Sequence, residues 1–506
     1  MTLVIGADLG TSGCKTAIYD SQGRELASTV HDYPTCYPAP GLHEQRPEDW
    51  WEAVLGGITE LVDQVGSAAS QIRAIALSGQ SLAPIPLDEN HDLLVTSVPI
   101  WSDTRAEAEA QIYFSNVDQE DWYRRTGNGF PAPLYTIFKV MWMRTNQPEI
   151  YAKIRMILGS KDWINFQLTG QICTDPSYAS GFGAYDLRLC DYADDLLESS
   201  GIPRDWIPKI VPSAAVVGQI LPEVASLLGL PKTVVVVAGG VDNSCMALGA
   251  GNIQAGRIYA ALGSSSWLTL CDTVPILDNE LRPFVFAHVM PGLYNSAVST
   301  FSSGTSATWA TQTFLADISI DALVGLGTQV APGSGGVIFV PSINGGTVLE
   351  GGPDVRGSLV QLSSSHGPKH IARAVLESIP LALRRALDRL RDLTEVQQRM
   401  VVTGGGARND DWLQIYADVL ACTLVKTNVD QQTATLGAAA LALVGVGLWT
   451  DLAKIDEVHR VIREFTPNMS NARKYSDEVL PLFELAAEQA QQIGNRAAKL
   501  SQVSRT

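Results

Sequence analysis

Positive charge is scarce in this chain. Its 506 residues carry 36 Lys and Arg against 53 Asp and Glu, a formal net charge of −17. That balance argues against a nucleic-acid or anionic-membrane surface and leaves any bound anion to local hydrogen-bond donors. Cysteine is scarce as well. The seven cysteines (14, 36, 173, 190, 245, 271, 422) are scattered, odd in number and form no C-x-x-C, which fits a reduced, cytoplasmic chain better than a disulfide framework. The longest apolar run, 436–449, has 14 residues and three glycines. It is too short to span a bilayer and reads as a buried helix. The first residues lack the basic and long apolar regions of a signal peptide. No G-x-x-x-x-G-K-[ST] occurs, and the glycine run at 404–409 lacks the third glycine of the dinucleotide fingerprint. His366 and His370 are four apart but separated by Gly and Pro, with no other His or Cys cluster, which weighs against zinc. Ser12-Gly13-Cys14-Lys15 matches S-x-x-K without the S-D-N or K-T-G that accompany it in acyl-serine enzymes, and is read as coincidence.

What is present is globular: 46% hydrophobic and 18% charged residues, a length for two or three domains and no low-complexity linker. Residues 3–7 form an apolar β-branched run, followed by a Gly/Thr/Ser turn and an alternating stretch at 15–20. This predicts a hairpin, not the strand-to-helix passage of a dinucleotide fold. A helix is predicted from Pro47 to about Val65 and a strand over 72–78. The run TVVVVA at 233–238 is the most β-like of all. The stretches 258–262, Gly263-Ser264-Ser265-Ser266 and 267–270 repeat the strand, Gly/Ser turn and strand of the N-terminus. That weak repeat suggests two halves on one plan, divided near residue 245. A long helix at 371–393, a strand at 400–402 and an amphipathic helix from Trp412 to Leu420 complete an α/β chain.

Several residue groups could carry chemistry. In Asp8-Leu9-Gly10-Thr11-Ser12 the glycine allows close approach of backbone N–H groups to an anion, the hydroxyls add donors and Asp8 can hold a cation. The alternative is an ordinary tight turn. Gly263-Ser264 offers the same donors in the second half. Asp242, after a buried strand, is a general-base candidate; the alternative is a cap of the following helix. Asn243, Gln80, Ser81, Trp101 and Asp103 lie near predicted strand ends, where polar groups beside a flat aromatic face suit a polyol, or are satisfied surface residues. Gly405 and Asn409 lie where backbone could approach a base or ribose. The alternative there is a tight connection with Asn409 as N-cap.

Together, in order, Asp8 to Ser12, HEQRPEDWW (43–51), Ser78-Gly79-Gln80, WSDTR (101–105), Gly240-Val241-Asp242-Asn243, PSINGG (341–346), Arg356-Gly357, LSSSH (362–366) and TGGGARN (403–409) resemble the FGGY carbohydrate kinases over roughly residues 3 to 450. The resemblance implies two ribonuclease H-like, actin-like domains flanking a deep cleft. Residues 1–245 would supply sugar binding and the base, and 246–506 nucleotide binding and the C-terminal helices. It implies transfer of the γ-phosphate of ATP, with Mg²⁺, to a small sugar such as the pentulose xylulose. Gluconate and other ketose or polyol acceptors are the alternatives, and a silent sugar or nucleotide sensor is the alternative of another class. An actin-like or chaperone-like ATPase would lack the Trp101–Asp103 wall and a base on the substrate side. Asp8 would organise Mg²⁺ and Asp242 would be the base. Thr11 and Ser12 would meet the transferred phosphate and Lys15 would bind ATP, with Gly263, Ser264, Gly304 and Thr308 on the nucleotide and Gly405 and Asn409 on the adenosine. Gln80, Ser81, Trp101, Asp103 and Asn243 would line the sugar. Two departures stand out: xylulokinases often read Gly-Gln-Met-His where this chain has Gly79-Gln80-Ser81-Leu82, and the common GERTP segment is GGTVLEGG. The implied partners are sugar and ATP, with no nucleic acid or membrane, and a homodimer is the assembly to test.

Overall fold

A computed structural model describes residues 2–503. Strands β1 (Leu3–Leu9), β2 (Gly13–Asp20), β3 (Glu25–Asp32), β4 (Ile72–Gly79), β5 (Val216–Gln219) and β6 (Val235–Val241) form one sheet in the order β5-β6-β4-β1-β2-β3. β1, β4 and β6 are parallel, while β2 and β3 run antiparallel as a meander from β1. The first helix, α1 (Pro47–Val65), starts with Pro at its first position and Glu48 and Asp49 in its first turn, which suit the positive end of the helix. Further on come α2 (Ser160–Thr169) and α3 (Asp242–Gly249).

The second sheet contains β7 (Ile258–Leu262), β8 (Ser266–Asp272), β9 (Phe284–Ala287), β10 (Tyr294–Thr300), β11 (Arg399–Thr403), β12 (Thr423–Thr427) and β13 (Val461–Phe465), in the order β9-β10-β8-β7-β11-β12-β13. Without its outer strand β9 it repeats the first: a three-strand meander, two strands parallel to the first strand, and an antiparallel edge strand. The repeat read in the sequence is therefore a repeat of topology. The helices that bear on the site are α4 (Gly304–Phe314), α5 (Pro368–Leu393), α6 (Asp410–Leu420) and α7 (Thr433–Gly445). The strand expected over 233–238 runs instead to Val241, because a bulge at Ala238–Gly239 lets pairing resume between Gly240 and Ser78. Position 245 falls inside α3, and the chain changes sheet between Val241 and Ile258.

Alternation places side chains on two faces of the first sheet. Leu3, Ile5, Ala7, Ile75 and Leu77 pack against Trp50, Val54, Ile58 and Leu61 of α1. On the other face, Val4, Ala74, Ala76 and Val237 pack against Cys245 and Leu248 of α3 and Leu436 and Leu441 of α7. The 436–449 run is indeed a buried helix over most of its length. It lies so close that a Cβ on Gly6 would sit 2.1 Å from the Thr435 carbonyl oxygen, and one on Gly437 would sit 2.0 Å from that of Cys245. Glycine is required at both places by backbone approach alone. Asp8, two residues beyond Gly6, belongs to this same face. No helix among the described residues is long and apolar enough to cross a membrane.

Candidate active site

Three parallel strands end at one level. Asp8 of β1 pairs in register with Ser78 of β4, and Ser78 with Gly240 of β6. The carboxyl ends of parallel strands are the usual ligand crevice of an α/β sheet. Ser78 donates its hydroxyl to Asp8 Oδ1 at 2.6 Å. Asp242 is the first residue of α3, and Val241, not Asp242, occupies the N-cap. Asp242 Oδ1 accepts from Asn243 N at 2.7 Å and from Asn243 Nδ2 at 3.2 Å. The helix-cap alternative for Asp242 is therefore not what the fold builds. Burial pushes the Asp8 carboxyl up, against the partial relief of the Ser78 bond and the Lys15 charge. Burial and then the charge of Asp8 push Asp242 up to about 7. A fixed carboxyl that titrates near neutrality is suited to accept a proton.

The first turn and the polyol wall meet. Thr11 and Ser12 are exposed at the tip of the β1–β2 hairpin. Trp101 donates its indole N–H to Thr11 Oγ1 at 3.0 Å, and Gln45 Nε2 donates to the Thr11 carbonyl at 2.6 Å. Gln80 Nε2 donates to Gln45 Oε1 at 2.7 Å, which leaves Gln80 Oε1 buried without a protein partner. Asn243 Oδ1 is in the same condition. Buried acceptors of this kind call for a donor. Ser81 is buried beside Gly181. Lys15 reaches across to the second half and donates to the Gln431 carbonyl at 3.0 Å. Asp103 differs from its neighbours in the wall: it is fully buried, and its two oxygens accept from Arg105 Nε and Nη2 at 2.8 Å each and from His43 N at 2.7 Å. Leu82 is buried with a left-handed φ of 68°, an uncommon state for a bulky residue. Its carbonyl and that of Ile100 take the ammonium of Lys139, at 3.0 and 2.6 Å.

In the second half, a cavity of about 670 Å³ is lined by Gly263, Ser264, Gly304, Thr308 and Gly405, five of the expected nucleotide residues. Gly304 N and Thr305 N donate to the Gly263 and Ser264 carbonyls at 3.1 and 3.2 Å, which holds the second turn against the start of α4, where the helix dipole favours an anion. Asn409 is a correction. Its carbonyl oxygen caps α6 by accepting from Trp412 N, and its amide donates to Asp321 Oδ1 at 2.8 Å. Both ends are occupied and the side chain does not line the cavity.

Some residues escaped the sequence reading. Thr305, Trp309 and Gln312 join Thr308 on the cavity wall. Their spacing of three and four on one helix face is a signal that was available. Asn344 lines it too, from the PSINGG segment. Gln45, which links the hairpin tip to Gln80, lies within HEQRPEDWW but had no role assigned. Among the described residues no three His, Cys, Asp or Glu gather as a metal cluster.

The comparisons with known proteins agree with this geometry. Residues 3–249 match the N-terminal domain model of the FGGY family of carbohydrate kinases and residues 258–446 its C-terminal domain model. A xylulose kinase of Bacillus subtilis (strain 168) is 31% identical over 482 residues, covering 94% of this chain and 95% of that protein. The solved structure of ligand-bound xylulose kinase from Lactobacillus acidophilus superposes with a TM-score of 0.91 at 27% identity, covering 97% of this chain and 98% of the other. A gluconate kinase structure from the same organism fits equally well, with the same TM-score, identity and coverage. Fold alone therefore does not separate the two acceptors. With its two actin-like halves and a match to both domain models, this chain belongs to the FGGY family of carbohydrate kinases and is a sugar phosphotransferase that uses ATP.

Proposed function

We propose that this enzyme transfers the γ-phosphoryl group of ATP to a hydroxyl of a pentulose, D-xylulose being the first candidate. The observation that carries the reading is the pair Asp8 and Asp242, set at the carboxyl ends of the two parallel strands that flank β4, with Asp8 leading into the first donor-rich turn. Phosphoryl transfer needs positioning, charge neutralisation and one group to orient the attacking oxygen. Asp242 takes the role of that base. It accepts the proton of the sugar hydroxyl as the oxygen attacks phosphorus and the bond to the ADP leaving group breaks. Thr11, Ser12 and Lys15 meet the transferred phosphoryl from one side, and Gly263, Ser264, Gly304 and Thr308 hold the nucleotide from the other. Gly405 lies against the adenosine. Gln80, Ser81, Trp101 and Asn243 line the sugar, with the buried oxygens of Gln80 and Asn243 as acceptors for its hydroxyls. We assign Asp103 to fixing the Trp101 loop through Arg105 and His43.

The residues fit Mg²⁺. The Asp8 charge raises the proton affinity of Asp242, which has no cation beside it among the described residues, and Mg²⁺ held with nucleotide phosphates needs only one or two protein carboxylates. Asp8 would hold it, and the ion would supply positive charge at the transferring phosphoryl. Residues up to about 245 form the sugar side and 246–506 the nucleotide side. A cytoplasmic setting and a homodimer are the accompanying proposals. Gluconate is the second reading, favoured by the equal superposition on a gluconate kinase and by Leu82 where xylulokinases often carry His. Sugar-dependent ADP release, screened over ketoses, aldonates and polyols, tests both. Turnover highest on D-xylulose supports the first reading, turnover highest on gluconate the second, and none on any acceptor defeats the catalytic reading.

A further inference from the structure

Behind the cleft lies a fully buried ionic cluster that none of the roles above uses. Lys161, in the first turn of α2, places its ammonium 2.5 Å from Asp162 Oδ1, 3.0 Å from Asp175 Oδ1 and 3.2 Å from the Ala238 carbonyl. Burial opposes its charge, and the two carboxylates more than restore it, raising its pKa above the ordinary lysine value. Asp175 Oδ2 accepts from Ser177 N at 3.0 Å, Ser177 Oγ at 2.5 Å and Ser213 Oγ at 2.8 Å. The Ser177 oxygen accepts in turn from Val241 N at 2.9 Å. Val241 is the residue before Asp242.

The cluster thus grips β6 at two points, the Ala238 carbonyl and the Val241 N–H. Between them is the bulge. Gly239 has φ 77°, and a Cβ there would lie 2.0 Å from the Leu77 carbonyl oxygen. Its N–H is tied to the Ser213 carbonyl at 3.0 Å. Bulges next to active sites re-aim the side chains that follow. The same region also holds the sugar wall: Tyr178 OH and Ser160 Oγ donate to the Gln80 carbonyl at 2.8 and 2.7 Å. An ion cluster is a costly way to fill a core that apolar side chains would fill as well. What it provides is direction, since every bond in it has a fixed donor and acceptor.

We propose that the Lys161–Asp175–Ser177 chain is a positioning device for phosphoryl transfer, fixing the bulge of β6 and through it the placement of Asp242. The inference rests on the reading of Asp242 as the base. It makes Lys161, Asp175 and Ser177 positioning residues; none of them touches substrate.

Ser177→Ala removes one hydroxyl and leaves the ion pair in place, which makes it a safer variant than Lys161→Met, whose loss of a buried charge endangers folding. With D-xylulose and ATP, Ser177→Ala is expected to lower kcat at least tenfold, since misplacement by about 1 Å costs on the order of 10²-fold. KM for ATP should stay within twofold, and Ser177→Thr, which keeps the hydroxyl, should recover most of the rate. Amide hydrogen exchange at Val241 should quicken in Ser177→Ala and not in Ser177→Thr. A kcat within twofold of the parent enzyme overturns the proposal, as does a rise in KM for ATP that matches the fall in kcat. If the parent enzyme does not turn over D-xylulose, the acceptor reading fails and exchange at Val241 decides the positioning claim, unchanged exchange overturning it.

Discussion

Replacing Asp242 by Asn keeps the shape of the side chain and removes its basicity. A carboxyl pushed up to about 7 is about half ionised at pH 7 and about nine-tenths ionised at pH 8. The free parent enzyme should therefore gain roughly twofold in kcat/KM over that interval and lose about tenfold per pH unit well below it. Part of the shift comes from Asp8, so Mg²⁺ with ATP should move the limb to lower pH. A general base contributes about 10²- to 10⁴-fold, which is about 3 to 5 kcal/mol of barrier. Asp242→Asn should lose that factor in kcat, show a flat acid limb and bind ATP as before. Stability should move the other way. The gap between the ordinary 3.8 and about 7 is a penalty on the charged form of the order of 4 kcal/mol. It is absent below pH 4 and complete above pH 7, so the Asn variant should gain more in Tm at pH 8 than at pH 4. ADP release coupled to NADH oxidation, calorimetric ATP titration and thermal melts at the two pH values make the test. A kcat within about threefold of the parent is too small a loss for a general base and would refute the assignment; an unfolded variant would show that Asp242 serves the fold at the start of α3.

Asp8→Asn removes the second cause of the raised Asp242 pKa; the acid limb of kcat/KM should shift to lower pH while Mg²⁺ dependence weakens, and unchanged Mg²⁺ dependence would remove Asp8 from the site. Gly405 lines the nucleotide cavity, and nothing lies within 4 Å of a Cβ built on it; Gly405→Val should weaken ATP binding about tenfold, or about 1.4 kcal/mol, with Tm unchanged, whereas a lower Tm with intact affinity would show that the position serves packing. Burial lowers the Lys139 pKa to about 7, so the unfolded chain holds a proton there that the folded one releases between pH 7 and about 10, and stability should rise with pH across that window. Lys139→Met should flatten the rise and increase KM for the sugar by loosening the Leu82 and Ile100 loops; a slope equal to the parent's would count against it. Sugar and nucleotide gripped from opposite halves imply domain closure, seen as a smaller radius of gyration in small-angle scattering with both ligands than with neither, and equal radii would exclude it.

The hairpins and their turns were legible because glycine, threonine and serine punctuate β-branched runs in both halves. Strand ends were legible where breakers stand. They failed at Gly239, where a glycine that would normally stop a strand makes a bulge and the strand goes on. That outcome is decided by Lys161, Ser213 and Asn165, which reach β6 from distant segments, and no local window contains them. Asp103 and Asn409 show the same limit in the site. Each stands beside other candidate residues in the sequence, and only side-chain geometry reveals that Arg105 and His43 occupy the one while Trp412 and Asp321 occupy the other. The polar stripe of α4 could have been read from its period, but the helix had no partner in the sequence argument to give the stripe a destination.

Helix α7 comes from the end of the second half and lies on the sheet of the first. Dividing the gene at the 250–257 connection would therefore not yield two domains. The N-terminal fragment would expose Val4, Ala74, Ala76 and Val237, and the C-terminal fragment would carry a nearly uncharged helix with nothing to cover it. Each piece would be an aggregation hazard alone, yet the two carry complementary faces. Co-expressed, they should find each other as subunits do, and the seam between α7 and the first sheet would then serve as a heterodimer interface.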